Sequence, residues 1–234
     1  MKTNRIVEAS ILAFAIIVLG FNLKAGIDHF VDKDRRVTVK GLAEMEVPAN
    51  KVTWPIVSKE IGNDLPSLYS KINSTNAAIK RFLIAGGLTE SEISVNAPVV
   101  IDMNAERYGN NQSGYRYNIT SVITVTSSKV DLVRKILARQ GELLKDGIAI
   151  VSGDYDNRIR YEFVSFKAMK PKMMEEAIAN AEKTAQQFAT SSKSKLGKIV
   201  SADQGQFSID DRDSNTPYIK KVRVVSTVTY ALKD

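Results

Sequence analysis

The stretch "YRYNITSVITV", residues 115–125, alternates without a break. Tyr115, Tyr117, Ile119, Ile123 and Val125 fall on one side, and Arg116, Asn118, Thr120 and Thr124 on the other. An extended chain sends successive side chains to opposite faces, so a period of two predicts a strand with one buried face. A second stretch, "VRVVSTVTYAL" (222–232), keeps the same phase. Setting Ser121 against Ser226 aligns Tyr117 with Val222, Ile119 with Val224 and Ile123 with Val228. What precedes each strand also matches: a helical pattern (64–85 and 171–191), a strand ending in Ile101-Asp102 or Ile209-Asp210, and a polar loop. This weak repeat predicts an α+β fold. Two related strand–helix–strand–strand units share an antiparallel-rich sheet, with helices packed on one face.

The helices carry recognisable seams. Leu65, Leu68, Ile72, Ile79, Phe82 and Leu83 share a face of the first, which Asn63 or Asp64 can cap and Gly86-Gly87 can stop. Ser128 and Asp131 have capping-box spacing and open a shorter helix to about Gln140. Pro171 opens the long helix, whose seam reads Met174, Ile178, Ala181, Ala185 and Phe188. Further strands are expected at 37–47, 51–61, 93–102, 198–210 and 218–232, and within "IAIV" and "YDNRIRYEFVSF". Pro55 places 51–61 at an edge or a bulge, and Trp54 reads as a core or rim anchor.

Between the last two strands lies "IDDRDSNTPYIKK" (209–221), where Asp211, Asp213 and Asn215 alternate as calcium ligands do. An EF-hand loop also needs Gly at its sixth position and a bidentate Glu at its twelfth. Counting from Asp211, those positions hold Thr216 and Val222, with Pro217 between them. The loop therefore reads as a strand connection whose Asp, Ser and Asn side chains serve its own backbone.

The N-terminus starts with Lys2 and Arg5 and continues as an apolar run, residues 6–23, broken only by Glu8, Ser10, Gly20 and Asn22. Crossing about 30 Å of hydrocarbon takes roughly 20 helical residues, so this run is a minimal span. The leading positive charges orient the N-terminus toward the cytoplasm. Residues 1–25 are thus expected to be an uncleaved signal anchor and single transmembrane helix, 26–36 a linker, and 37–234 the folded domain. Cleavage after Ala25 is the rival reading, but the small residue wanted two places earlier is absent.

Composition narrows the function classes. There are 33 Lys plus Arg against 26 Asp plus Glu, a net charge of +7, which favours anionic surfaces such as lipid headgroups. The basic residues are scattered and aromatics are only 7%, so no stacking platform for nucleic acid is expected. With no cysteine there is no thiolate nucleophile, disulfide or Cys-bound zinc. The single histidine, His29, sits in the expected linker, so no Ser-His-Asp triad can be built in the folded part. Nucleotide-binding glycine motifs are missing, and Glu175-Glu176 diverge as neighbours on a helix. No catalytic, cofactor-binding or metal-binding residue is assigned, no cofactor is expected, and an enzyme is not the expected class. A carboxylate-based hydrolase stays open as a lesser alternative.

Three segments carry a resemblance. "RVTVKGLAEMEVPANKVTWPIVSKEIGN" (36–63) resembles the opening of the SIMPL-domain family, a strand with a glycine turn, then Pro and a second strand. "MMEEAIANAEKTAQQFATSSKSKLGKI" (173–199) is similar to its Ala-rich helix and following Leu-Gly-Lys segment. "QGQFSIDDRDSNTPYIKKVRVVSTVTYAL" (204–232) resembles the ending of a membrane-anchored bacterial branch. The resemblance spans about residues 36–232. It implies a non-enzymatic cell-envelope protein, anchored in the inner membrane, facing the periplasm and forming ring-like homo-oligomers. It also implies a role in envelope integrity or stress tolerance. The family has no agreed activity, so no functional residue carries over. The partners expected are further copies of the chain and the bilayer, through residues 6–23. A periplasmic module binding an unknown small ligand in a cleft is the alternative.

Overall fold

The computed structural model describes residues 2–32, 35–105, 114–151 and 157–233, and within these the side chains of 2–8, 25 and 28–32 lie outside the description. The chain divides into two compact units, one of residues 46–167 and 209–221, the other of residues 1–45, 168–208 and 222–234.

The 46–167 unit is built on β2 (Lys51–Gly62) and β5 (Tyr117–Ser127), which pair antiparallel from Val52↔Ser127 to Gly62↔Tyr117. On the outer side of β5 lie β3 (Ile93–Val95) and β4 (Val99–Asp102), and on the outer side of β2 lie β6 (Ile150–Val151) and β7 (Arg160–Glu162). The predicted strand 93–102 is thus two short strands. Pro55 was expected at an edge or bulge, yet it lies in a central strand, paired with Thr124. It is tolerated because β7 pairs with residues 51–53 and β6 with 57–58. Pro55 falls between those two pairings, where its missing N–H breaks neither.

Helices α2 (Leu65–Ala85), α3 (Val130–Ala138) and α4 (Gly141–Lys145) complete this unit. Residues on β5 alternate between buried and half-buried, so the helices cover one face of the sheet. Trp54, Ile56, Ile123 and Val125 pack there with Ile79 and Leu83 of α2 and Val133 and Ile136 of α3. Leu68 and Ile72 pack on Ile119. Asp64 caps α2 by accepting from the Ser67 amide at 3.0 Å. Leu65 and Phe82, counted in the seam by periodicity, are not fully buried; Asn76 is. Its carboxamide oxygen accepts from the buried Ser121 hydroxyl at 3.1 Å, and Ser58 lies across the sheet from Ser121.

The expected Ser128–Asp131 capping box does not form. Lys129 is the N-cap and makes no side-chain cap bond. Ser127 supplies the oxygen instead, accepting from the Lys129 amide and donating to Glu92 at 2.6 Å. Glu92 also accepts from the Thr89 amide and hydroxyl and from Lys129, closing a capping box over the 3-10 turn Glu90–Glu92. These bonds, the one from Ser127 foremost, hold the Glu92 carboxyl down at about 2. A carboxyl depressed in the folded state adds stability above its unfolded value, about 4.3, that is lost as pH falls through the folded one. The melting temperature should therefore drop between about pH 4.5 and pH 2. Glu92→Gln should lower the neutral-pH value and flatten that part of the curve, as followed by circular dichroism. A parallel drop in both proteins would contradict this.

The second unit has a three-stranded sheet in the order β1-β9-β8, from β1 (Arg36–Pro48), β8 (Lys195–Asp211) and β9 (Ile219–Lys233). The expected shared sheet is thus two separate sheets. Only Ala49 and Asn50 separate β1 from β2, yet β1 pairs with β9. The connection is held open because the Ala49 amide donates to the Tyr218 carbonyl and the Asn50 amide to that of Glu162. The repeat phase holds: Ile119, Ser121, Ile123 and Val125 are buried, and so are Val224, Ser226, Val228 and Tyr230.

On this sheet lies α5 (Phe166–Ser191), which starts before Pro171 and contains it. Its buried seam differs from the expected one: Met173, Ala177, Ala181, Ala185 and Ala189, at strict intervals of four. Ile178 and Phe188 are exposed. Small side chains win because the helix backbone lies almost on the strand. A Cβ on Gly41 would fall 1.9 Å from the Ala177 carbonyl oxygen and 2.6 Å from the Ala181 nitrogen. Gly41 is therefore not a turn residue but a mid-strand gap that admits the helix.

Helix α1 (Lys2–Asp32) is 31 residues long, about 46 Å at 1.5 Å per residue. It runs through most of the expected 26–36 linker; no proline interrupts it, and Gly26 costs a helix only about 1 kcal/mol. Among the described residues no helix is long and apolar enough to cross a membrane, so the expected transmembrane helix of residues 1–25 is not found among them. Ile6, Val7 and Glu8 of the apolar run lie outside the residues whose side chains are described, as does His29.

Candidate functional site

The acidic loop was the densest cluster of potential ligands, and its side chains are occupied locally. Asp213 accepts from the amides of Asn215 and Thr216, both at 2.8 Å, from the Thr216 hydroxyl and from Arg212. These bonds, the Thr216 hydroxyl first, hold its carboxyl at about 2. Asp211 accepts from Lys220. The Arg212 amide donates to the Ile219 carbonyl at 2.9 Å, which closes the turn between β8 and β9. This is a strand connection whose acidic groups organise the backbone. Glu175 and Glu176 are both exposed on α5.

Among the described residues two exposed surfaces stand out instead. The first is α1. Ile11, Leu12, Phe14, Ile16, Ile17, Val18, Leu19, Phe21 and Leu23 are all exposed, between 41% and 71%. They point in every direction, with no polar stripe. Of the polar groups within the run, Asn22 is satisfied inside the helix, donating to the Val18 carbonyl at 2.8 Å.

The second is β8. It is an edge strand of 17 residues, and none of them is buried. Ile199 and Val200 are exposed together. One edge pairs with β9, closely enough that a Cβ on Gly205 would lie 2.2 Å from the Val225 carbonyl oxygen. An unpaired edge of this length presents a row of backbone donors and acceptors to any strand that can reach it.

Sequence reasoning missed a third feature. Arg158, Ile159, Arg160, Tyr161, Glu162, Asp211, Pro217 and Lys220 line a cavity of about 400 Å³ in the 46–167 unit. Tyr161 is buried at its base, edge-on to Tyr218, and that burial pushes its hydroxyl pKa up. The alternation Arg158-x-Arg160-x-Glu162 was visible, but the arrival of Lys220 from a segment 60 residues away was not.

A family model described as SIMPL, protein of unknown function (DUF541), covers residues 37–230. No curated protein matches the chain.

Proposed function

The chain belongs to the SIMPL family, and from that premise we propose that it is a non-enzymatic, membrane-anchored envelope protein that assembles into a ring-like homo-oligomer. The observation that carries the reading is α1, a long helix with bare apolar side chains on every side. In lipid those side chains and the back-bonded Asn22 are at home, because the helix satisfies its own backbone. Lys2 and Arg5 favour a cytoplasmic N-terminus and a folded region outside. The two units, each with a helix followed by an edge strand and a central strand, are read as copies of one duplicated module. Its role in this reading is to support envelope integrity or stress tolerance.

Assembly is supported by β8. A strand edge that pairs with a different edge of the next copy makes a heterologous contact, which closes into a ring if the rotation allows. The full chain in detergent is expected to run as a large assembly in light scattering. Adjacent residues of a strand point their N–H groups to opposite edges, so Val200→Pro and Ser201→Pro should differ. One should release monomers while keeping its fold, and the other should weaken the β8–β9 hairpin. A monomeric full chain, or assembly unchanged in both variants, would contradict the reading.

A further inference from the structure

We propose that the cavity beside β7 binds a phosphate group, free or as a monoester, through Arg160 and Lys220. The inference is independent of the anchor and of assembly.

It starts from the strand period. On β7 Tyr161 is buried, so its neighbours Arg160 and Glu162 point the other way, out of the sheet; Arg158 precedes the strand and is exposed. The β8–β9 connection brings Asp211, Pro217 and Lys220 to the same cavity. Five charged groups therefore line it, three cationic and two acidic. Both acids are already committed: Glu162 to Lys51 at 2.8 Å, and Asp211 to Lys220. Arg160 makes no ion pair among the described residues. The lining carries three cations against two acids, a net charge of one positive.

Lys220 sharpens this. It is the only buried cation among the described residues, with its side chain 10% exposed. Lysines are almost never buried unless paired, and its one partner, Asp211, is itself half-exposed. An anion in the cavity would give this ammonium a second counter-charge. The Arg160 guanidinium fork and the ammonium suit a dianion with three terminal oxygens. The volume, about 400 Å³, exceeds a bare phosphate and leaves Pro217 as an apolar edge for a small attached body.

The test uses the full chain in detergent. Inorganic phosphate and glycerol phosphate are titrated by calorimetry against chloride at matched ionic strength. In a separate arm, vesicles of phosphatidylcholine with or without phosphatidic acid are used. Saturable binding of the soluble phosphates supports the site with a free ligand, and binding confined to phosphatidic acid vesicles supports it with a lipid headgroup. In either case Arg160→Ala should weaken binding about tenfold, and Arg160→Lys less, since a charge-assisted pair is lost in the first and the charge kept in the second. Lys71→Ala, at a surface pair with Glu60, should change nothing. Arg160 is exposed, so the variants should fold, and their melting temperatures verify it. No saturable binding in any arm, or equal affinity in Arg160→Ala, would overturn the proposal.

Discussion

Gly41→Ala should destabilise the protein by more than about 3 kcal/mol, beyond the usual 1–3 kcal/mol for overpacking. Most overpacked sites yield because a flexible side chain can swing away. Here the added carbon meets the Ala177 carbonyl oxygen at 1.9 Å and the Ala181 nitrogen at 2.6 Å, which are backbone atoms of α5. Relief requires the whole helix to lift from β1, which opens the packing of Ala181 and Ala185 on Val39, Val228 and Tyr230. Domains have only about 5–15 kcal/mol in hand, so much of the margin goes with one methyl. Gly141→Ala is the control: nothing lies within 4 Å of its added carbon, and it should change stability by no more than about 0.5 kcal/mol. Urea denaturation followed by circular dichroism measures both. A loss below about 1 kcal/mol for Gly41→Ala would show that α5 does not sit where the strand gap places it.

The second large effect concerns the anchor. Ile16→Lys combined with Ile17→Lys places two charges near the middle of residues 6–23. Each costs about 2.5–3.5 kcal/mol at the centre of a spanning helix. The variant should leave the carbonate-washed membrane fraction almost entirely, while the parent chain stays in it. Lys substitutions at Lys24's end of the run, such as Leu23→Lys, should do little, because a long side chain there reaches the headgroups. Retention of the double variant in washed membranes would mean that α1 is not the membrane attachment.

The period of two in 115–125 and 222–232 was enough to place the central strand of each unit, because a half-buried strand writes its burial directly into the sequence. The same alternation could not say which strands pair. The separation into two sheets is set by the hydrogen bonds of Ala49 and Asn50 to residues distant in the chain. The seam of α5 was misread for a related reason. Periodicity weighs Met174, Ile178 and Phe188 above alanine, but a helix pressed against a glycine gap buries its smallest face. Asn76 was invisible to an apolar pattern; only the Ser121 hydroxyl opposite it explains a carboxamide in the core. That the acidic loop connects two strands was legible, since Asp, Ser, Asn and Pro are the residues such a connection uses for its own backbone. The cavity at Arg160 was not, because Lys220 and Asp211 reach it only through the fold.

The most direct measurement is the intact mass of the protein recovered from carbonate-washed membranes, together with N-terminal sequencing. The anchor account predicts an unprocessed chain that still carries residues 1–25 and is digested by protease only from the outer side. A mature chain beginning at Gly26 and released by osmotic shock would contradict it.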